Sequence, residues 1–342
     1  MSWNSGQVLQ IPVAENEDDI RLDRWLKRRF PGLTQGQVEK LLRKGEIRVD
    51  GSRAKSNTRL KAGQSVRVPP MPSGDSRKPK TEERIENISP QDAEFIRSLV
   101  LYEDKDVIII NKPSGLAVQG GTKTSRHVDA LSAALVGPED EKPKLVHRLD
   151  KDTSGVLVLA KNASVAADLG KHFRSRSLEK TYWAVIHGMP NPSEGELRGW
   201  MIKGAGRGED KETMRGAQHG ERGAVFAITD YKVVSNAAQR ACWIALKPLT
   251  GRKHQLRYHM SEIGHSIIGD YKYTCERETP SGVSYGLHLH ARALRLPSKS
   301  GKPIEVIAPM SPQMEETFEL FGFHESEAGD PFETVQQMGR RR

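Results

Sequence analysis

A short charged segment near the middle of the chain carries the residues best suited to catalysis. Asp150 stands beside Arg148 and Lys151, so its ionised carboxylate would lie near positive charge and could act as a nucleophile or an electrostatic stabiliser. Asp152 could do the same. The apolar stretch that follows, residues 156–160, reads as a buried strand that would hold the segment in place. Asp, Ser and Gly also favour tight turns, so spacing alone leaves an ordinary turn as the alternative.

The nine residues from His147 to Gly155 are H-R-L-D-K-D-T-S-G. They resemble the signature H-R-L-D-x-x-T-S-G of the RluA-type pseudouridine synthases and match it at every fixed position. Enzymes of that family isomerise uridine in ribosomal and transfer RNA. The resemblance implies that Asp150 is the catalytic carboxylate and that Asp152 falls at a variable position.

Four further segments resemble motifs of the same family. They are K-P-S-G-L at 112–116, K-T-Y-W-A-V-I-H-G at 180–188, T-G-R-K-H-Q-L-R-Y-H at 250–259 with G-H-S-I-I-G-D at 264–270, and the closing L-H-A at 289–291. One departure is Ser266, where the family usually has proline. The second segment proposes Tyr182 as the active-site aromatic. The resemblance covers about residues 20 to 310.

The family chemistry assigns roles to these residues. A uridine must leave its helix or loop before a carboxylate can reach its glycosidic bond. Tyr182 would stack on the flipped base and could help to remove the C5 proton, although an aromatic in a strand is more often core packing. An ionised Asp150 in a closed site needs a cation, and Arg252 is the predicted partner because its planar fork can hold a carboxylate bidentately. Leu256 is expected to form an apolar wall. His147 and Arg148 complete the predicted substrate-binding residues of the loop, and His147 is expected to orient the loop by hydrogen bonds.

The N-terminal part of the chain has the charge of a nucleic-acid module. Residues 21–80 hold 17 Lys and Arg against 5 Asp and Glu, whereas the net charge of the whole chain is +9. Two basic amphipathic helices and a small hairpin over residues 20–69 resemble the S4 RNA-binding domain. Six basic residues are then expected to contact phosphates: Arg24, Lys27, Lys40, Arg43, Lys44 and Arg48.

The pattern of elements predicts an α+β protein. We expect a polar N-terminal segment with little regular structure (1–19), an S4-like α/β domain (20–69), a linker (70–88), a catalytic domain (89–324) and a disordered tail (325–342). Strands do not alternate regularly with helices, which favours a mixed, largely antiparallel sheet in the catalytic domain. Residues 203–223, which contain six glycines and mixed charge, predict a mobile surface excursion.

Composition limits the remaining possibilities. No apolar run approaches the roughly 18 residues of a membrane span, and no signal-peptide pattern is present, so we expect a cytosolic protein without a membrane partner. Cys242 and Cys275 lack metal-ligand spacing and are expected to be reduced. The histidine pairs offer no third ligand, so no metal is predicted, and no nucleotide-binding loop implies a cofactor. A monomer that binds RNA is the expected state.

Two other classes of function remain open. The chain could be an RNA-binding or ribosome-assembly factor without activity, although Asp150, Tyr182 and Arg252 are all retained. It could also be a glycosidase acting on nucleosides, which needs a second carboxylate such as Asp152 or Asp270. Among RNA substrates, V-R-V-P-P at 66–70 resembles the branch of the synthase family that acts on large-subunit ribosomal RNA; transfer RNA and mitochondrial RNA are the alternatives.

Overall fold

The chain divides into two units, residues 1–83 and 84–342. The computed structural model describes residues 7–30, 33–70, 88–120, 124–137, 140–175, 178–205, 212–298 and 301–332. The predicted linker at 70–88 lies almost entirely outside these ranges. Among the described residues, no helix combines the length and apolar character that crossing a bilayer requires.

The first unit is a four-stranded antiparallel sheet with two helices. Its elements are β1 (Leu9–Pro12), α1 (Leu22–Arg29), α2 (Gln35–Lys44), β2 (Arg48–Val49), β3 (Ser52–Arg53) and β4 (Ser65–Val68), with sheet order β1-β4-β2-β3. Helix α2 begins at a capping box, in which Thr34 accepts from the backbone of Gln37, and ends at Gly45 in the left-handed conformation. Trp25, Leu26 and neighbouring apolar residues form its core.

The prediction that residues 1–19 lack regular structure is wrong for the described part of that segment. Strand β1 pairs with β4, and Glu15–Glu17 form a 3-10 helix. The acidic residues here are structural: Glu17 accepts a hydrogen bond from the Trp25 indole at 2.9 Å and pairs with Arg29 at 2.8 Å. The S4-like unit therefore includes residues that precede position 20.

The second unit is built on an eleven-stranded mixed sheet. Its main path is β11-β10-β12-β13-β9-β14-β8-β6-β5, with β15 beside β14 and β7 beside β8. The strands are β5 (Val100–Glu103), β6 (Val107–Lys112), β7 (Lys144–Leu145), β8 (Ser154–Ala160), β9 (Glu179–His187), β10 (Glu194–Ala205), β11 (Glu212–Ala217), β12 (Val225–Ala237), β13 (Ala241–Pro248), β14 (Leu289–Leu296) and β15 (Ile304–Ile307). The α-helices are α3 (Pro90–Ser98), α4 (Val128–Leu131), α5 (Ala163–Ser175), α6 (Gln255–Glu262) and α7 (Pro312–Phe321).

The middle of this sheet positions the catalytic segment. Strand β8 is buried along its whole length, with β14 parallel on one side and β6 antiparallel on the other. Gly155 lies at φ +106°, and a Cβ there would meet the backbone oxygen of Ala291 at 2.2 Å. Only glycine allows β8 to approach β14 this closely. The α+β class and the mixed, largely antiparallel sheet are as predicted from the sequence.

Two predicted irregular regions are ordered. Within 203–223, strand β11 pairs with β10 as a long antiparallel hairpin, so the prediction of a mobile excursion is wrong for the described residues. Glycines weaken the sequence signal of a strand because they lower β-propensity, but they do not prevent strands from pairing. The tail prediction is also wrong for residues 325–332, since Glu325 pairs with Arg292 and Phe332 is buried beneath the Lys247 ammonium. Residues 333–342 lie outside the described part.

Candidate active site

The backbone of the 147–153 loop is held from behind by the 112–116 motif. Lys112 ends β6, is fully buried, and donates to the backbone oxygens of Pro113, Leu116 and Lys151 at 2.8, 2.8 and 2.9 Å. Ser114 donates to the backbone oxygen of Asp152 at 2.8 Å. Burial lowers the pKa of Lys112 to about 7, against the opposing charges of Asp152 and Asp150. The first motif thus fixes the two residues that follow Asp150.

His147 holds the same loop from its other end. Its Nε2 accepts from the backbone N–H of Val158 at 2.9 Å, and its ring stacks on Phe173 with centroids 4.3 Å apart. Burial, with a smaller effect from Lys180, lowers its pKa to about 3, so the ring is neutral at physiological pH. His147 is absent from the described lining of the cleft. His147 therefore orients the loop by a hydrogen bond, as predicted, and the prediction that it also contacts substrate is not supported by its position.

A cleft of about 190 Å³ opens in front of Asp150. The catalytic loop, β9 and the segment from β13 to α6 line it, with Arg148, Asp150, Lys180, Tyr182, Arg252, Lys253, His254, Leu256 and Arg257 among its residues. Tyr182 and Lys180 lie two residues apart on β9 and therefore face the same side. Leu256 is buried and forms the predicted apolar wall.

The cation beside Asp150 is Arg257, and the prediction of Arg252 is wrong. Arg257 Nη1 lies 3.6 Å from Asp150 Oδ2, and its Nε and Nη2 each lie 2.7 Å from an oxygen of Asp270. Arg252 is exposed and donates through Nε to the backbone oxygen of Phe226 at 2.9 Å. Arg148, although next to Asp150 in sequence, is also exposed. Arg252 and Arg148 line the cleft without pairing with the carboxylate.

Burial, hydrogen bonds and charged neighbours together determine the charge states of Arg257, Tyr182 and Lys180 in the cleft. Burial alone would lower the pKa of Arg257, but its hydrogen bonds to Asp270 and the charges of Asp270 and Asp150 outweigh this effect and raise it. Burial and the charge of Asp150 raise the pKa of Tyr182, so its phenol is protonated at neutral pH. Burial lowers the pKa of Lys180. The cleft therefore presents a permanent cation and a neutral phenol beside Asp150.

The turn before α6 owes its shape to Gln255. Its side chain accepts from the Thr250 hydroxyl at 2.7 Å and from the Arg252 N–H at 3.0 Å. Its amide nitrogen donates to the backbone oxygen of Ile228 and to Thr229 Oγ1. The first two bonds close the turn, and the other two attach it to β12, so that α6 starts at the cleft.

Sequence reasoning did not select the buried residues Arg257 and His254, and it named Asp270 only as a possible second acid of a glycosidase. A usable signal existed, because a buried carboxylate requires a buried cation. Arg257 lies among apolar residues of a helix, whereas Arg252 follows a glycine in a turn. Asp270 cannot serve as the free second acid of a glycosidase, since it accepts from Arg257 and from the N–H groups of Lys272 and Tyr273. Among the described residues, no group of three metal-ligating side chains occurs.

Five of the six basic residues predicted to contact phosphates have exposed side chains in the S4-like unit. Arg24, Lys27, Lys40, Arg43 and Lys44 are exposed on α1 and α2. Arg48 differs, because it is half-buried and donates to the backbone oxygens of Gly45 and Gly51 at 3.1 and 3.0 Å. Its guanidinium thus also closes the β2–β3 turn.

The sequence and the fold are similar to those of several known proteins. The family model described as RNA pseudouridylate synthase matches residues 106–262, and the S4 domain model matches 20–66. Ribosomal large subunit pseudouridine synthase C of Rickettsia conorii is 36% identical over 82% of this chain and 89% of its own. RNA pseudouridine synthase 4, mitochondrial, of Arabidopsis thaliana is 32% identical over 81% and 71%, respectively. The structure of human RNA pseudouridylate synthase domain containing 4 has a TM-score of 0.57 at 29% identity, covering 68% of this chain and 97% of that one. The chain belongs to the RNA pseudouridine synthase family and carries an N-terminal S4 domain.

Proposed function

We propose that this enzyme converts specific uridines of large-subunit ribosomal RNA to pseudouridine, with Asp150 as the catalytic carboxylate. The observation that carries the catalytic part is the meeting of Asp150, Tyr182 and Arg257 in one cleft. The RNA part is supported by the relatives named as ribosomal large subunit synthases and by the basic helices of the S4 domain. The second candidate is a different RNA substrate, which is favoured by the relative named as a mitochondrial RNA pseudouridine synthase.

The reaction breaks the bond from ribose C1′ to uracil N1 and forms one from C1′ to C5. The C5 proton leaves, and N1 gains a proton. The freed base must stay in the cleft while it turns, which the apolar side chain of Leu256 and the ring of Tyr182 favour by enclosing it. Asp150 then acts by attack on the sugar, by attack on the base, or by assisting a glycal; the proposal holds for each route.

Charge placement supports these roles. Arg257 places its positive charge 3.6 Å from Asp150 Oδ2 in a partly enclosed site, where an unpaired carboxylate would be costly. Because the Tyr182 phenol is neutral, it can take up the C5 proton only by passing its own proton to another base. Asp150 is the candidate for that base, since its negative charge acts on Tyr182 and, together with burial, raises the pKa of the phenol. Burial lowers the pKa of Lys253, and the nearby positive charges of Lys203 and Arg148 lower it further. Such a cationic rim suits the phosphates around a flipped nucleotide.

Pseudouridine mapping by carbodiimide modification and reverse transcription tests the proposal. Total RNA is compared from cells that carry the wild-type gene, Asp150→Asn, or Asp152→Asn as the matched control in the same loop. We expect stops in large-subunit RNA that vanish with Asp150→Asn and persist with Asp152→Asn. Stops lost only from transfer or mitochondrial RNA would overturn the ribosomal substrate, and stops that persist with Asp150→Asn would overturn the catalytic assignment. A monomeric state and a cytosolic location remain predictions from the sequence.

A further inference from the structure

A histidine faces Asp150 from the side opposite to the guanidinium. His254 is buried, and its Nε2 lies 3.8 Å from Asp150 Oδ1, whereas Arg257 approaches Oδ2. The other ring nitrogen, Nδ1, lies 2.8 Å from the hydroxyl of Tyr273. That hydroxyl accepts from the backbone N–H of Met214 at 2.7 Å. A chain of polar contacts thus runs from the β10–β11 hairpin to the carboxylate.

His254 adopts an unfavourable backbone conformation in order to occupy this position. Its φ is +50°, in the left-handed region that residues other than glycine rarely enter, and it immediately precedes α6. Such strain persists only where the surroundings enforce it. The hydrogen bonds of Gln255 and Tyr273 on either side supply that enforcement.

The contacts select one tautomer of the ring. If Nε2 lacked a proton, its lone pair would point at an ionised carboxylate, which is repulsive, so the proton belongs on Nε2. Nδ1 must then accept, and the Tyr273 hydroxyl must donate to it. The Tyr273 oxygen is free to donate in this direction because it already accepts from Met214. Burial raises the pKa of Tyr273 to about 12, so its proton is present at neutral pH.

The charge state follows from the surroundings of the ring. Burial lowers the pKa of His254 to about 4, against the opposing charge of Asp150, and Arg257, Lys253 and Lys272 lower it further. His254 therefore presents a neutral N–H dipole to Asp150 instead of a second cation. This difference matters, because a full charge on each oxygen would stabilise the carboxylate and weaken it as a nucleophile.

We propose that His254 is a positioning residue of the synthase reaction, which aims its Nε2–H at Asp150 Oδ1 while Tyr273 holds its tautomer. The separation of 3.8 Å exceeds a hydrogen bond, and such catalytic contacts often tighten once substrate fills the site. Together with Arg257 on Oδ2, the ring fixes the rotation of the carboxylate about its own axis. This inference rests on the proposed role of Asp150.

The tautomer is measured directly by side-chain ¹⁵N NMR of the full-length protein with labelled histidine, at neutral pH and without RNA. The His254 signal is identified by its loss in His254→Gln. We expect a protonated Nε2 and an unprotonated Nδ1 in the wild type, and a redistribution toward the Nδ1–H form in Tyr273→Phe. An Nδ1–H wild type would overturn the proposal whatever RNA the enzyme modifies.

Single-turnover kinetics on an RNA that the wild type modifies provide the second readout. His254→Gln keeps an N–H donor near Asp150 and should retain activity within about tenfold, whereas His254→Leu should lose about 100-fold in rate with unchanged RNA affinity. Tyr273→Phe should lose tenfold or more. The control is Tyr258→Phe, which removes a neighbouring phenol whose hydroxyl bonds Glu262 instead. Equal rates for Gln and Leu would reduce His254 to a packing role and overturn the proposal.

Discussion

Arg257 binds Asp270 more closely than it binds the proposed catalytic carboxylate. Two of its nitrogens lie 2.7 Å from Asp270 oxygens, whereas the third lies 3.6 Å from Asp150. The side chain of Asp270 is fully buried and that of Arg257 is 2% exposed. Asp270 therefore holds the guanidinium in position, and the remaining nitrogen is left for Asp150.

Replacing Arg257 and Arg252 one at a time by methionine should separate their roles. In Arg257→Met, Asp270 is left buried and uncompensated, so we expect a loss of about 3–5 kcal/mol in unfolding free energy and over 100-fold in rate. In Arg252→Met, an exposed side chain is lost, and we expect a change of about 0.5 kcal/mol and less than tenfold in rate. Urea unfolding and single-turnover assays measure both.

The double variant Arg257→Met/Asp270→Asn is the matched control for stability. It removes the buried charge that Arg257→Met exposes, so it should recover part of the lost stability while activity stays low. If Arg252→Met impaired the reaction more than Arg257→Met, the observed pairing would not be the functional one.

Lys112 should affect the reaction from outside the cleft. Lys112→Met removes three donors to backbone oxygens, one of them on Lys151 next to Asp150. A buried backbone oxygen left without a donor costs about 1–3 kcal/mol, so we expect a loss of several kcal/mol in unfolding free energy and a rate reduced more than tenfold. Lys151→Met, at an exposed position in the same loop, should leave both quantities within about 0.5 kcal/mol of wild type. Equal effects of the two variants would contradict this support.

His147 should make the catalytic unit sensitive to acid. Its pKa is about 3 in the folded protein and near 6.5 when unfolded, so the unfolded state binds more protons between these values. Stability from this group is then complete above pH 6.5 and falls as the pH drops toward 3, by at most about 1.4 kcal/mol per pH unit. Urea unfolding at pH 7 and pH 4.5 should show a smaller difference for His147→Gln than for wild type. An identical difference would mean that His147 already protonates freely in the folded state.

The exposed basic residues of α1 and α2 should contribute salt-dependent affinity. We expect Lys40→Gln/Arg43→Gln to weaken RNA binding and to reduce the slope of log K against log salt by about 1.4–1.8, since each phosphate contact adds roughly 0.7–0.9. Arg295→Gln is the control, because Arg295 pairs with Glu305 on the catalytic unit. Filter binding across a salt series measures the slopes. An unchanged slope in the double variant would remove α2 from the RNA-binding surface.

Local sequence signals determined the elements that carry the site. The capping box at Thr34, the apolar run that became β8 and the nine-residue H-R-L-D motif depend on interactions within a few residues, so the sequence is enough to locate them. The same signals failed where order depends on distant partners. The glycine-rich hairpin β10–β11 is ordered by pairing with β12, and Phe332 by packing against residues far earlier in the chain.

The sequence identified Asp150, Tyr182 and Leu256 as residues of one site through the resemblance of three local motifs to those of the synthase family. Only the tertiary structure decided which cation serves Asp150. Arg252 and Arg257 stand five residues apart in one motif, and their chemistry is the same. Arg257 is chosen because the start of α6 buries it between Asp150 and Asp270, and Arg252 is left at the surface of the turn. That selection arises from burial and from a partner 13 residues further along, neither of which a linear motif contains.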